Sequence, residues 1–196
     1  MEIQDREYVP ATGVRRLTAR EFQELFDREI LDDEPDRLEL LDGLIYSAMA
    51  EGHPHRRTVN LLTRLMTTRF PDPYVVQVSM SLHLGVHDVP SPDVVVYRPG
   101  GDAYTSYVDM STVLLAIEVS DSSLRKDRIL KLRRYGLAAI PEYWIVNVNG
   151  PEVDRYSDPR GGVYASFHRF GADEPIVPSA LPGDAVTPRD IVRAKP

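Results

Sequence analysis

Val113-Leu-Leu-Ala-Ile-Glu-Val-Ser120 is apolar on both of its alternating faces up to Glu118. Leu115, Ile117 and Val119 project to one side, and Leu114, Ala116, Glu118 and Ser120 to the other. Segments of this kind form central strands covered on both faces. A carboxylate there costs several kcal/mol of desolvation unless a cation or a set of donors compensates it. Two readings of Glu118 stay open at this point: a strand-end Glu near water or paired with an Arg, or a functional acid.

Working outward, Pro92-Asp93 opens a short strand, VVVY (94–97), upstream of this segment. Downstream lie a basic amphipathic helix carrying Ile129, Leu130, Leu132 and Tyr135, then the strand EYWIVNV (142–148). Asn149-Gly150 marks a hairpin, and EVDRYS (152–157) and VYASFHRF (163–170) read as the last strands. Towards the N-terminus, Thr18-x-x-Glu21 is a capping box and Leu17 and Phe22 form its staple, predicting a helix from about Ala19 to Ile30. After the polar break LDDEPD (31–36), Arg37 to Met49 reads as a hairpin about Asp42-Gly43. Pro54 opens a helix with Val59, Leu62, Met66 and Phe70 on one face, and Arg56, Arg57, Arg64 and Arg69 largely off it. Tyr74 to Val86 alternates as one half-buried strand. The proline-bearing tail reads as irregular, packed by Ile176, Leu181, Val186 and Ile191. Residues 1–16 lack periodicity and read as an arm, with 17–196 as one domain. The order predicts an α/β (α+β) fold, a mixed sheet with helices packed on it.

The 196 residues include no cysteine, which excludes disulfides, zinc ribbons and thiolate catalysis. Apolar runs are too short to span a membrane, and the polar, acidic start is unlike a secretory signal, so the expected compartment is the cytoplasm. There is no P-loop, no GxGxxG after a strand and no GxSxG elbow. Net charge is −7, yet Arg125, Lys126, Arg128, Lys131, Arg133 and Arg134 crowd around Asp127. That strip is either a solvated helix face or a track for phosphates.

Asp93 begins one strand and Glu118 lies near the end of the next, 25 residues later. If the strands are neighbours, two carboxylates meet, which suits a hard cation such as Mg²⁺ or Mn²⁺ that keeps several waters and takes one or two carboxylates plus a phosphate. Such an ion generates a nucleophile from bound water, and a nearby Lys stabilises charge growing on the phosphate.

Pro92-Asp93…Glu118-Val119-Ser120 resembles the PD-(D/E)xK nuclease signature with Ser120 where its strand Lys stands. The chain is similar to one branch with this departure, the Uma2 family (DUF820) of restriction-endonuclease-like proteins. Glu39-Leu-Leu-Asp-Gly43, Pro54-His55, Asp127-x3-Lys131-x3-Tyr135 and Ile140-Pro-Glu-Tyr-Trp-Ile-Val146 match its motifs, over about Thr18 to Ile191. EVSDSS stands where that family usually reads EVLSPS.

The resemblance implies a nuclease fold and a Lys supplied from the following helix, with Lys131 at the matching position. A helix starting at Ser122 puts Lys131 about 13 Å along its axis, whereas one capped by Asp127 puts it a single turn in; Lys126 is the alternative. Glu39 is carried over as a third acidic ligand or a surface ion pair, and His55 as a catalytic or a core histidine. Asp127 is carried over as a helix cap or as a residue orienting Lys131. Tyr135 and Trp144 read as core. The leading expectation is therefore a Mg²⁺- or Mn²⁺-dependent DNA endonuclease, Asp93 and Glu118 holding the ion and Lys131 assisting. Arg125, Lys126 and Arg128 would contact the DNA backbone, and the family implies a homodimer. The rivals are a catalytically silent module binding nucleic acid or protein, and a hydrolase of small phosphoesters.

Overall fold

A computed structural model describes residues 13–31, 37–47, 52–98, 110–179 and 185–192. Most of the N-terminal arm, the 32–36 break, Met49 and Leu181 lie outside the described residues. Helix α1 (Ala19–Asp27) begins at Thr18, whose hydroxyl accepts the Glu21 N–H while the Glu21 carboxylate accepts the Thr18 N–H, completing the predicted capping box. It ends three residues before Ile30.

Strands β1 (Leu38–Leu41) and β2 (Leu44–Ser47) form the expected hairpin. Asp42 (φ 55°) and Gly43 (φ 72°) both occupy left-handed backbone, as a two-residue type I′ turn requires. Helix α2 (His53–Arg69) follows, with Pro54 in its first turn and Val59, Leu62 and Met66 buried.

The main sheet has six strands in sequence order: β3 (Val75–Val78), β4 (Val94–Tyr97), β5 (Val113–Ser120), β6 (Glu142–Asn147), β7 (Glu152–Arg160) and β8 (Val163–Phe170). All neighbours are antiparallel except β5 and β6, which are parallel and joined by a helical crossover. That crossover is a short α3 (Leu124–Lys126), a π-helical turn (Asp127–Lys131) and α4 (Leu132–Leu137).

Both faces of β5 are covered, as its composition predicts. On one face Leu115, Ile117 and Val119 pack with Leu62 and Met66 of α2 and with Ile176, Val186 and Ile191 of the C-terminal segment. On the other, Ala116 packs with Val95, Tyr143 and Ile145 beneath Tyr135 of the crossover. Helix α5 (Pro188–Ile191) closes the first layer through a Thr187/Asp190 capping box. The predicted irregular tail thus contains a helical turn, and Thr187-Pro-Arg-Asp190 carried the signal for it.

The single strand expected over Tyr74–Val86 breaks after Val78. Ser79 adopts φ 51°, and the following residues fold into a separate ribbon in which Leu82 and Leu84 N–H groups donate to Pro90 and Asp88 carbonyls. Both halves are extended, so the alternation persists through the break.

Candidate active site

The register Val94↔Ile117 between β4 and β5, continued by one step, sets Asp93 opposite Glu118. The Asp93 side chain locks that corner, Oδ2 accepting the Val119 N–H at 2.7 Å. The same oxygen lies 3.1 Å from His55 Nε2, brought by the first turn of α2. Among the described residues Asp93 Oδ1 has only a long contact with Arg37, at 3.4 Å. Burial works against ionisation of Asp93, but the His55 hydrogen bond and charge, the Val119 N–H and Lys131 outweigh it, holding the carboxyl below the ordinary aspartate range.

Glu118 is 3% exposed. Its Oε1 accepts from Lys131 Nζ at 2.8 Å and from the Tyr135 hydroxyl at 2.9 Å, while Oε2 accepts no hydrogen bond among the described residues. Lys131, itself 2% exposed, also lies 2.7 Å from Glu39 Oε1. Glu39 comes from β1; it accepts the Ser91 N–H at 2.9 Å, and its Oε2 takes Lys126 at 3.1 Å. One ammonium therefore bridges two buried carboxylates from separate sheets. Burial would strip its proton, but Glu118 and Glu39 hold it on and push its pKa up. For Glu39, burial is outweighed by Lys131 and Lys126 and the carboxyl sits below its usual range. Glu118 goes the other way: burial first, eased by Lys131 but reinforced by Asp93, Asp127 and Glu39, raises it well above an ordinary glutamate.

Lys131 reaches Glu118 because the crossover helix folds back over β5 on its way to the parallel β6, so distance along the helix returns it to the strand. The helix starts at Leu124, later than Ser122 and earlier than Asp127. At the π turn the Leu132 N–H donates to Asp127 O, five residues back, and the Tyr143 hydroxyl donates to the same carbonyl at 3.3 Å. The Asp127 carboxylate accepts the Ser120 and Ser123 hydroxyls at 2.6 Å each, and its other oxygen is buried without a hydrogen bond. Ser120, at the position of the absent strand Lys, thus anchors the turn that carries the helix Lys.

Arg37, Glu39, His55, Asp93, Glu118, Lys126, Asp127 and Lys131 all line one cleft of about 280 Å³, open to water on one side, with Gly52 and Asp121–Ser123 at its mouth. The sequence-derived acids, both lysines and His55 therefore converge. The Uma2 family model, described as "Putative restriction endonuclease", matches residues 20–189. The chain belongs to the Uma2 family. Among solved structures it is similar to "a putative nuclease belonging to DUF820 from Anabaena variabilis ATCC 29413", with a TM-score of 0.69 and 14% identity over 89% of this chain and 97% of that one. The likeness shows a shared fold. No curated protein matches the chain.

The donor set of this Uma2 cleft suits a hard divalent cation. Asp93 Oδ1 and Glu118 Oε2 are hard oxygen donors, lightly held or unbonded, at the cleft where their partner oxygens are tied back. Among the described residues no three His, Asp or Glu side chains enclose an ion by themselves. Two carboxylates completed by water and phosphate remain the fitting arrangement.

The expected basic strip is not continuous. Lys131 is buried, Arg134 turns inward to Asp42 (2.7 Å) and Asp88, Lys126 faces Glu39, and Arg128 pairs with buried Asp154 at 2.7 Å. Arg125 and Arg133 are the exposed members. Neither Arg125 nor Arg128 lines the cleft.

Sequence reasoning took Tyr135 for core, and its ring is fully buried, but its hydroxyl is a ligand of Glu118. The signal was a tyrosine where phenylalanine would pack as well, since a buried hydroxyl demands a partner. Arg37 was not singled out, and nothing in its local sequence marks it. Trp144 is core, as expected.

Proposed function

We propose that this Uma2 chain is a metal-dependent endonuclease that hydrolyses DNA phosphodiester bonds. The observation that supports it best is the meeting of Asp93 and Glu118 from adjacent antiparallel strands beside Lys131, in a cleft open to water. Asp93 and Glu118 would hold a divalent ion, which when bound would lower the pKa of a water and supply Lewis acidity towards a phosphoryl oxygen.

The chain's own groups do the positioning. His55 and the Val119 N–H fix Asp93 through Oδ2, turning Oδ1 to the cleft. Tyr135 and Lys131 fix Glu118 through Oε1. Glu118 and Glu39 favour the protonated form of Lys131, which suits it to serve as a fixed positive charge near a phosphate oxygen rather than as a base. Glu39 holds Lys131 and Lys126 and is a positioning residue rather than a third ligand, since both of its oxygens are occupied.

Plasmid and linear DNA cleavage with Mg²⁺ or Mn²⁺ tests the assignment. Asp93→Asn and Glu118→Gln should each lower the rate by more than the roughly 100-fold typical of losing an outer-shell partner. Rates equal to wild type would reject it. Cutting both strands of a duplex is the reason to infer a homodimer, which light scattering checks. No helix among the described residues is long and apolar enough to cross a membrane.

A further inference from the structure

We propose that the outer face of α2 is the track on which the phosphate backbone of duplex DNA lies as it enters the cleft, a role that rests on the nuclease reading for its substrate but not for its test. Helix α2 carries Arg56, Arg57, Arg64 and Arg69 and no acidic residue, on a chain whose net charge is −7. Its inner face is consumed by Val59, Leu62 and Met66 against the sheet, and Arg56, Arg57 and Arg64 are exposed off that face, while Arg69 is half-buried. His53, Arg56, Arg57, Asn60, Leu61 and Arg64 line a single groove of about 550 Å³ along that side.

The groove and the cleft meet at one place. Gly52, the N-cap of α2, and His55, in its first turn, line the cleft, while His53 and Arg56, interleaved with them, line the groove. A strand leaving the groove therefore arrives at Asp93 and Glu118. From His53 to Arg64 the helix covers about 16 Å at 1.5 Å per residue, or about five steps of 3.4 Å along one DNA strand.

The rest of the surface shows why this face is distinctive. Arg16, Arg128, Arg134, Arg155, Arg169 and Arg189 are each committed to a carboxylate. Arg57 and Arg64 are exposed and have no acidic partner among the described residues. Holding two such cations along one helix face of an acidic chain is chemistry for a polyanion, and the repeating charge of a DNA backbone matches their spacing along the helix. On the crossover helix Lys126, Arg128, Lys131 and Arg134 are turned to Glu39, Asp154, Glu118 and Asp42, and its exposed arginines, Arg125 and Arg133, line neither the cleft nor the groove.

The test is binding of a short fluorescent DNA duplex by anisotropy in EDTA, titrated between about 50 and 200 mM salt. Arg57→Ala/Arg64→Ala should make the log–log salt slope shallower by about two, one for each phosphate that is no longer neutralised. Arg57→Lys/Arg64→Lys should keep the wild-type slope. Both pairs of substitutions are on the surface, and a thermal midpoint equal to wild type checks folding. A slope unchanged by the alanine pair, or wild-type binding that ignores salt, overturns the track. Plasmid cleavage with Mg²⁺ reads the nuclease assignment separately. Cleavage with an unchanged slope rejects the track and leaves the enzyme, while a flattened slope without cleavage keeps the track on a non-catalytic module.

Discussion

Replacing Lys131 with Met keeps most of the length of the side chain and deletes its charge. Glu39 would keep Lys126 at 3.1 Å and the Ser91 N–H at 2.9 Å. Glu118 would keep only the Tyr135 hydroxyl at 2.9 Å, so most of the penalty falls on Glu118. Breaking a buried ion pair by removing one partner costs about 3–5 kcal/mol. In a domain of this size that is a fall in thermal midpoint of roughly 6 to 20 °C. The penalty depends on pH in a definite direction. Glu118 is already raised well above the ordinary glutamate range, by burial and by neighbouring carboxylates, and losing the ammonium raises it further. A folded-state carboxyl that binds its proton more tightly than the unfolded one loses stability as pH rises from the unfolded value, about 4.3, through the folded value. The deficit in Lys131→Met should therefore be smaller at mildly acidic pH than at alkaline pH, because protonation of Glu118 removes the uncompensated charge. Mg²⁺ should then stabilise the variant, because an ion held by Asp93 and Glu118 replaces the missing charge. At a concentration a hundred times Kd the gain is about 2.7 kcal/mol. Differential scanning fluorimetry at both pH values, with EDTA or Mg²⁺, reads all three quantities. A deficit independent of pH would refute the electrostatic account of Glu118, and failure of Mg²⁺ to restore any of it would refute the proposed ion site.

In EDTA, Glu118→Gln should flatten the decline in midpoint between mildly acidic and alkaline pH, since it deletes the group whose protonation favours the folded state. Asp93 behaves oppositely: held below its usual range, it contributes stability above about pH 3.9 that is lost as pH falls through its folded value. Asp93→Asn should therefore make the acid limb of the stability curve shallower, measured by urea unfolding. Ser120→Ala removes a hydroxyl from Asp127 and loosens the π turn; the expected cost is about 1 kcal/mol in stability, with a drop in cleavage rate that exceeds any drop in DNA affinity. Gly136→Ala should destabilise by about 1–3 kcal/mol without touching the cleft, because its Cβ would lie 2.8 Å from the Gly162 carbonyl in the β7–β8 turn, and backbone yields poorly. A midpoint equal to wild type would show that the α4–β8 contact is slack.

Capping, alternation and turn chemistry act over a few residues, and the elements that rest on them were legible in the chain. Thr18/Glu21, Asp42-Gly43, Pro54 and the doubly apolar 113–120 segment each predict an element that folds as expected. Where the local signal was ambiguous the reading slipped. Extended backbone continues on both sides of Ser79, so alternation alone cannot reveal that the chain turns there. The pairing of Asp93 with Glu118 was also within reach, since two acids on consecutive strands need only adjacency to meet, and β4 and β5 are adjacent.

Charge compensation has no such local rule. Whether a basic residue faces solvent or a buried acid depends on what the fold brings opposite it from remote parts of the chain. Arg134 meets Asp42 and Asp88, Arg128 meets Asp154, and Lys131 meets Glu39, 92 residues away. A run of basic side chains was therefore visible in the amino-acid order, but its dispersal into separate ion pairs was decided by tertiary contact. The same holds for the functional lysine: local periodicity places Lys131 on a helix, and only the return of that helix over a parallel crossover brings it within 2.8 Å of Glu118.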